Sequence, residues 1–251
     1  MKPLVSIVVP LYNYDKYIAD CIESIIQSDY PNKEIIVIDD FSTDNSYKIA
    51  KKFKSEGIFV KRFNRNKGYS VVKNSGIKRS RGDYISILDA DDLYTKDSIS
   101  VRVEMLLEND VDFIHADALA INGDISLKQC YKTNDFKVLH FPTPYEIHAQ
   151  TVMVKRSLYE KFGLYDERLR SRSDREMWWR FFGQSEKDED KVKRAYVDYP
   201  VAYYRYHDKS MTMMRQRNRK YDKEVRKLAE SIYKDKNKNG INKSNTIFLN
   251  D

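Results

Sequence analysis

Three carboxylates emerge together at Asp89-Ala90-Asp91-Asp92, directly after the apolar run Tyr84-Ile85-Ser86-Ile87-Leu88. Like charges this close repel and raise one another's pKa unless a cation or a set of donors neutralises them. A hard divalent ion supplies such a counter-charge: Mg²⁺ takes one or two carboxylates and completes its shell with water and phosphate oxygens. The competing reading is an acidic turn capping the next helix, because Asp is favoured at caps and turns. Two more polar groups end apolar runs in the same way: Pro10-Leu11-Tyr12-Asn13 follows Val5–Val9, and Asp39-Asp40 follows Glu34–Ile38.

The elements that position these groups alternate. Val5–Val9 reads as a buried strand, and Ile18, Cys21, Ile22, Ile25 and Ile26 follow at helical spacing. Strands over Glu34–Ile38, Phe59–Arg62 and Tyr84–Leu88 are separated by helices over Asp44–Lys54 and Ser70–Arg79. Serial βα alternation predicts a mainly parallel sheet covered by helices, with ligands beyond the carboxyl ends of the strands. The three polar groups share that edge. A helix is expected over Asp97–Glu108, and Asn122-Gly123 between alternating runs predicts a hairpin turn and an antiparallel piece. Further on, Thr151–Lys155 reads as a strand, Ser157–Phe162 and Asp174–Phe182 as helices, 186–193 as an exposed loop and Ala195–His207 as extended.

The 251-residue chain has no apolar run of membrane-spanning length and no signal-peptide pattern, which predicts a cytoplasmic protein. Cys21 and Cys130 form neither a disulfide framework nor a metal motif. The formal charge of +7 is concentrated in the tail: residues 215–243 hold 11 Lys and Arg against 4 Asp and Glu. A basic helix over Arg217–Lys234, either solvated or in peripheral contact with an anionic membrane, is expected there.

Val5 to Asn13, Val37 to Asp44 and Gly82 to Asp92 together resemble the signature blocks of family 2 glycosyltransferases, in order and at the expected spacing. Asn74, the stretch Phe162-Gly163-Leu164-Tyr165-Asp166-Glu167, and Asp174 followed by Trp178 and Arg180 extend the resemblance over roughly residues 4 to 210. It implies a GT-A fold: a Rossmann-like α/β domain over 1–214, with a nucleotide-sugar half (1–112), an acceptor half (113–214) containing a small antiparallel portion, and a basic extension (215–251). It also implies an inverting transferase that takes a nucleotide-sugar donor, UDP first with dTDP and GDP as alternatives, to a glycan or lipid-linked acceptor.

By the same resemblance, Pro10, Tyr12 and Asp40 receive the nucleoside, with the Tyr12 ring against the base and Asp40 accepting from a base N–H. Asp91 is the principal ligand of Mn²⁺ or Mg²⁺, Asp89 lies near ribose and metal, and His207 adds a ligand as its segment closes over the diphosphate. Asp92 is a supporting residue, and Arg205 is read either as a phosphate partner or as a structural ion pair. Lys67 and Lys73 face the diphosphate, although many relatives carry Arg where Lys73 stands. Asp174 is the general base; it matches the second position of the family's Glu-Asp pair, with Ser173 in the first. One of Trp178 and Trp179 packs, leaving the other as a platform for an acceptor sugar, and His148 falls on the acceptor side.

The rivals are weaker. A haloacid-dehalogenase-like phosphotransferase carries its Asp-x-Asp after the first strand rather than the fourth, and Pro10–Asn13 is not the glycine-rich loop of a nucleotidyltransferase. A non-catalytic nucleotide-sugar-binding scaffold would not need Asp91 and Asp174. A nucleic-acid reading rests on the basic tail alone, so no nucleic acid is expected.

Overall fold

The computed structural model describes residues 2–133, 136–140, 147–169, 172–182, 192–208 and 210, with isolated positions at 223, 227, 228 and 231. Most of the expected basic helix and nearly all of the 186–193 loop lie outside the described residues.

The first half follows the βα series. Strands β1 (Val5–Leu11), β2 (Lys33–Asp39), β3 (Phe59–Arg62) and β4 (Tyr84–Ile87) are connected through helices α1 (Ile18–Ile26), α2 (Ser46–Lys52) and α3 (Tyr69–Arg79). They pair in parallel in the order β3-β2-β1-β4. Every residue of β1 is buried, because helices cover both of its faces; this is why the run is continuously apolar rather than alternating. Ile18, Cys21, Ile22 and Ile25 of α1 pack with Val5, Ile7, Val9 and Leu11 on one face.

The second half runs β5 (Leu93–Tyr94), α4 (Ser98–Glu108), β6 (Phe113–Asn122), α5 (Leu127–Cys130), β7 (Lys137–Leu139), β8 (Met153–Lys155), α6 (Arg156–Phe162), α7 (Ser173–Phe182) and β9 (Arg194–Tyr206). The sheet continues β4-β8-β6-β9-β5, with β8 antiparallel to β4 and β6, β5 antiparallel to β9, and β9 parallel to β6. On the opposite face, Val8, Ile77, Ile85 and Phe113 form a second core with Tyr159, Met177, Trp178 and Phe181. Trp178 is the packed member of the tryptophan pair, edge-on to Phe113, while Trp179 lies under the Arg175 guanidinium. No helix among the described residues is long and apolar enough to cross a membrane.

One expectation is corrected. Asn122-Gly123 does not close a two-residue hairpin; the chain passes through a turn into α5 before β7 returns antiparallel along β6. Ser126 and Gln129 form a capping box that opens α5, and burial of Leu127 and Cys130 beside Leu93, Ile121 and Tyr203 holds it.

Helix α3 lies hard against β1. A Cβ added at Gly76 would sit 2.2 Å from Val8 Cγ1, a distance that real contacts never reach. Gly76→Ala is therefore expected to destabilise the fold by about 1–3 kcal/mol despite the better helix propensity of Ala, measured as a lower urea midpoint.

Candidate active site

The strand ends are locked to one another. The Ser42 hydroxyl and amide both donate to Asp39, Asn13 N–H donates to Ser42 Oγ at 3.0 Å, and Thr43 N–H donates to Asn13 Oδ1 at 2.8 Å. Asn13 (φ 57°) and Phe41 (φ 66°) adopt left-handed backbone, which Asn tolerates and Phe does not. The strain at Phe41 is offset where its exposed ring meets the Arg62 guanidinium, which also faces Tyr47, pairs with Asp39 and donates to the Ser42 carbonyl. A shallow cavity of about 420 Å³ opens beside Phe41, Tyr47 and Arg62, away from the acidic cluster.

At this edge Pro10 and Leu11 close β1, and Tyr12 is 43% exposed. Asp40 is buried and accepts backbone N–H groups from Lys67 at 2.7 Å and Gly68 at 2.9 Å. It thus anchors the loop from β3 to α3, and each oxygen keeps a second lone pair. The Lys67 ammonium lies over the Phe63 ring.

The tight turn after β4, closed by Asp92 N–H to the Asp89 carbonyl, gathers the three acids, whose nearest oxygens lie within 4.8 Å of one another. Asp89 accepts from the Tyr69 hydroxyl at 2.5 Å and from Gln150 Nε2 at 2.6 Å. Burial first, and the Asp91 charge second, push its carboxyl up to about 7. Asp91 Oδ2 lies 2.9 Å from His207 Nε2, and the Tyr14 ring lies edge-on to that imidazole. Asp92 accepts the Arg205 N–H at 2.8 Å through Oδ1, whereas its Oδ2 is buried without a hydrogen-bond partner; burial and then Asp91 raise this carboxyl well above its ordinary value. Converging carboxylates, one orphaned oxygen and an adjacent imidazole are a donor set that fits a hard divalent cation.

The Arg205 side chain bonds backbone carbonyls, with its Nη2 buried without a hydrogen-bond partner. It is fully buried and donates to the carbonyls of Asp91, Gly123 and Ile125, tying the acidic turn to the end of β6, while its guanidinium lies over Tyr17. His148 stays outside the cluster: its Nδ1 lies 2.5 Å from Gln150 Oε1, and its ring contacts Tyr204.

Helix α3 carries the fourth group. Asn74 brackets the backbone of Tyr165 and reaches Glu167, and the Ser70 hydroxyl donates to the Leu169 carbonyl, so α3 fixes the segment that leads into α7. Lys73 is fully buried, with Nζ 2.6 Å from Asp174 Oδ1 and 3.0 Å from Ser173 Oγ. Burial lowers its pKa, and the Asp174 charge opposes that shift. Asp174 lies in the first turn of α7, where the helix dipole favours a carboxylate.

Pro10, Tyr12, Asp40, Lys67, Asp89, Asp91 and His207 thus share the carboxyl edge of the sheet, whereas Lys73 belongs with Asp174. Tyr14, Tyr69, Gln150 and Tyr165 are participants that sequence reading missed. For Tyr69 a signal existed, because it stands four residues before Lys73 on one helix face.

Known proteins share the family and fold of this chain. Residues 6–163 match the family model described as glycosyl transferase family 2. An uncharacterized glycosyltransferase of Rickettsia prowazekii is 30% identical over 209 residues, covering 80% of this chain and 63% of the relative, so the chain spans a little under two thirds of that protein. The structure of Staphylococcus aureus TarS 1-349 in complex with UDP-GlcNAc superimposes with a TM-score of 0.66 at 20% identity, covering 84% of this chain and 60% of that one. The mannosyltransferase PcManGT of Pyrobaculum calidifontis, in complex with GDP-Man and Mn²⁺, gives a TM-score of 0.65 at 18% identity, covering 87% of this chain and 61% of that one. With the family match spanning more than half of its length, and with a GT-A sheet whose acidic turn lies at the expected edge, the chain belongs to glycosyl transferase family 2.

Proposed function

We propose that the chain is a metal-dependent inverting glycosyltransferase, which moves a sugar from a nucleoside-diphosphate donor to a hydroxyl of a glycan or glycolipid at the cytoplasmic face. The observation that carries this reading is the convergence of Asp89, Asp91 and Asp92 with His207 on the edge that also bears Tyr12 and Asp40. UDP is the first nucleotide to test; structural neighbours hold UDP, UDP-GlcNAc or GDP-Man.

In this reading the nucleoside lies along Pro10 and Tyr12, beside Asp40 and Lys67, with the diphosphate toward Asp89 and Asp91. A divalent ion held by Asp91, Asp89 and His207 would stabilise the charge that grows on the diphosphate as the glycosidic bond breaks. An imidazole among the ligands favours Mn²⁺ over Mg²⁺, which prefers oxygen donors. Asp174 takes the proton of the acceptor hydroxyl as its oxygen attacks the anomeric carbon opposite the leaving group. One base and one displacement give inversion, with no covalent glycosyl-enzyme.

The test is a panel of UDP-, dTDP- and GDP-sugars assayed for slow hydrolysis with Mn²⁺ and with chelator, since hydrolysis needs no acceptor. Hydrolysis of one donor class that stops on chelation is expected. Metal-independent turnover of every hydrolysed donor would overturn the proposal.

The raised carboxyls impose a pH dependence. A group whose folded pKa lies above its unfolded value stabilises the fold fully below the unfolded value and loses that contribution as pH rises through the folded one. For Asp89 the window runs from 3.8 to about 7, so the metal-free protein becomes less stable across it. A cation must displace these protons. Millimolar Mn²⁺ is therefore expected to raise Tm by about 3–6 °C near pH 8 and by about 1 °C or less near pH 5. Scanning calorimetry at both values checks this; equal shifts would contradict it.

A further inference from the structure

We propose that Lys73 is the positioning residue of the proton acceptor Asp174 and not a ligand of the donor diphosphate. The inference rests on the reading of Asp174 as base, and it assigns to Lys73 a role that its charge alone would not suggest.

The geometry leaves the ammonium no open side. Nζ lies 3.6 Å from the centroid of the Tyr165 ring and 4.3 Å from that of Tyr69, with Asp174 Oδ1 at 2.6 Å and Ser173 Oγ at 3.0 Å. Two aromatic faces and two oxygens complete its surroundings, and the side chain is 0% exposed. A phosphate would have to displace one of these four partners. The cage suits a compact ammonium and not a planar guanidinium fork.

The same turn of α3 reaches the donor side. The Tyr69 ring forms one wall of the cage, and its hydroxyl donates to Asp89. Tyr165 forms the other wall, and its backbone is held by Asn74. Helix α3 therefore sets the spacing between the acidic turn and the base, and Lys73 fixes one Asp174 oxygen, leaving the other to the acceptor. A buried ammonium without a partner is costly, so the ion pair holds Asp174 in one orientation before the acceptor proton arrives.

The test is Lys73→Met, which keeps the length and removes the charge. UDP and GDP binding in Mn²⁺ is measured by calorimetry, and turnover is measured on whichever donor sugar the wild-type protein hydrolyses. The expected result is at least a thirtyfold fall in kcat (~30-fold, about 2 kcal/mol at 1.36 kcal/mol per decade) with nucleotide Kd changed less than about twofold. A tenfold or greater rise in Kd with kcat retained would make Lys73 a diphosphate ligand and overturn the proposal, as would unchanged kcat and Kd. In an Asp174→Asn background the same substitution is expected to lower kcat by less than about twofold more, because both act through one carboxylate; independent, multiplicative losses would also overturn it. That comparison carries the test if Lys73→Met alone does not fold. If Asp174→Asn by itself retains full turnover, the general-base reading fails instead.

Discussion

Replacing Asp91 with asparagine is expected to lower sugar transfer by about 10³-fold and to abolish the Mn²⁺-dependent rise in Tm. The amide keeps the volume of the carboxylate, so the turn need not rearrange. What is lost is the negative charge next to His207 Nε2, the meeting point of carboxylate and imidazole. A thousandfold loss corresponds to about 4 kcal/mol of transition-state stabilisation, the size expected for removing the main charge partner of a developing diphosphate. The sign of the stability change separates this from simple damage. Asp91 raises the carboxyls of both Asp89 and Asp92, so removing its charge relieves repulsion, and the metal-free variant should melt no lower than wild type. Calorimetry with and without Mn²⁺, together with a rate measurement, checks all three. Turnover within tenfold of wild type would remove Asp91 from the metal site.

The sequence placed the acidic turn correctly because strands buried on both faces announce themselves as short apolar runs, and the residues just after such a run lie at the sheet edge by topology. The same logic failed after β6. Asn122-Gly123 carries the local preference of a hairpin, but the outcome was decided by burial of Leu127 and Cys130, which made the next residues a capped helix. The Ser126-x-x-Gln129 spacing was legible and outweighed the dipeptide.

The partners of Arg205 and Lys73 were not legible for a different reason. Each reads as a cation near an anionic ligand, and each also bonds protein groups far away in sequence: Arg205 the carbonyls of residues 91, 123 and 125, Lys73 a carboxylate 101 residues on. Periodicity gives the face a side chain occupies, not the partner across from it. Tyr14, Gln150 and Tyr165 show the limit from the other side. They are neutral residues that touch the charged ones, and nothing in their type or spacing marks them.

Asp174→Asn is expected to lower transfer by about 10²–10⁴-fold while leaving UDP or GDP affinity within about twofold of wild type. The substitution keeps an acceptor oxygen for Lys73 but withdraws the negative charge from a fully buried ammonium, so a loss of about 1–3 kcal/mol in stability accompanies it. That is not enough to unfold a domain of this size, and a urea midpoint measured beside the rate shows whether folding contributes to the loss. The two readouts divide because of when the carboxylate acts. A group that touches the donor binds it equally before and during reaction, so its removal weakens nucleotide affinity; a proton acceptor gains its interaction only as the acceptor oxygen attacks. A lost rate with retained nucleotide affinity therefore places Asp174 on the acceptor side, and because Asp174 supplies a single base, the product it forms is expected to have the inverted anomeric configuration when read by NMR.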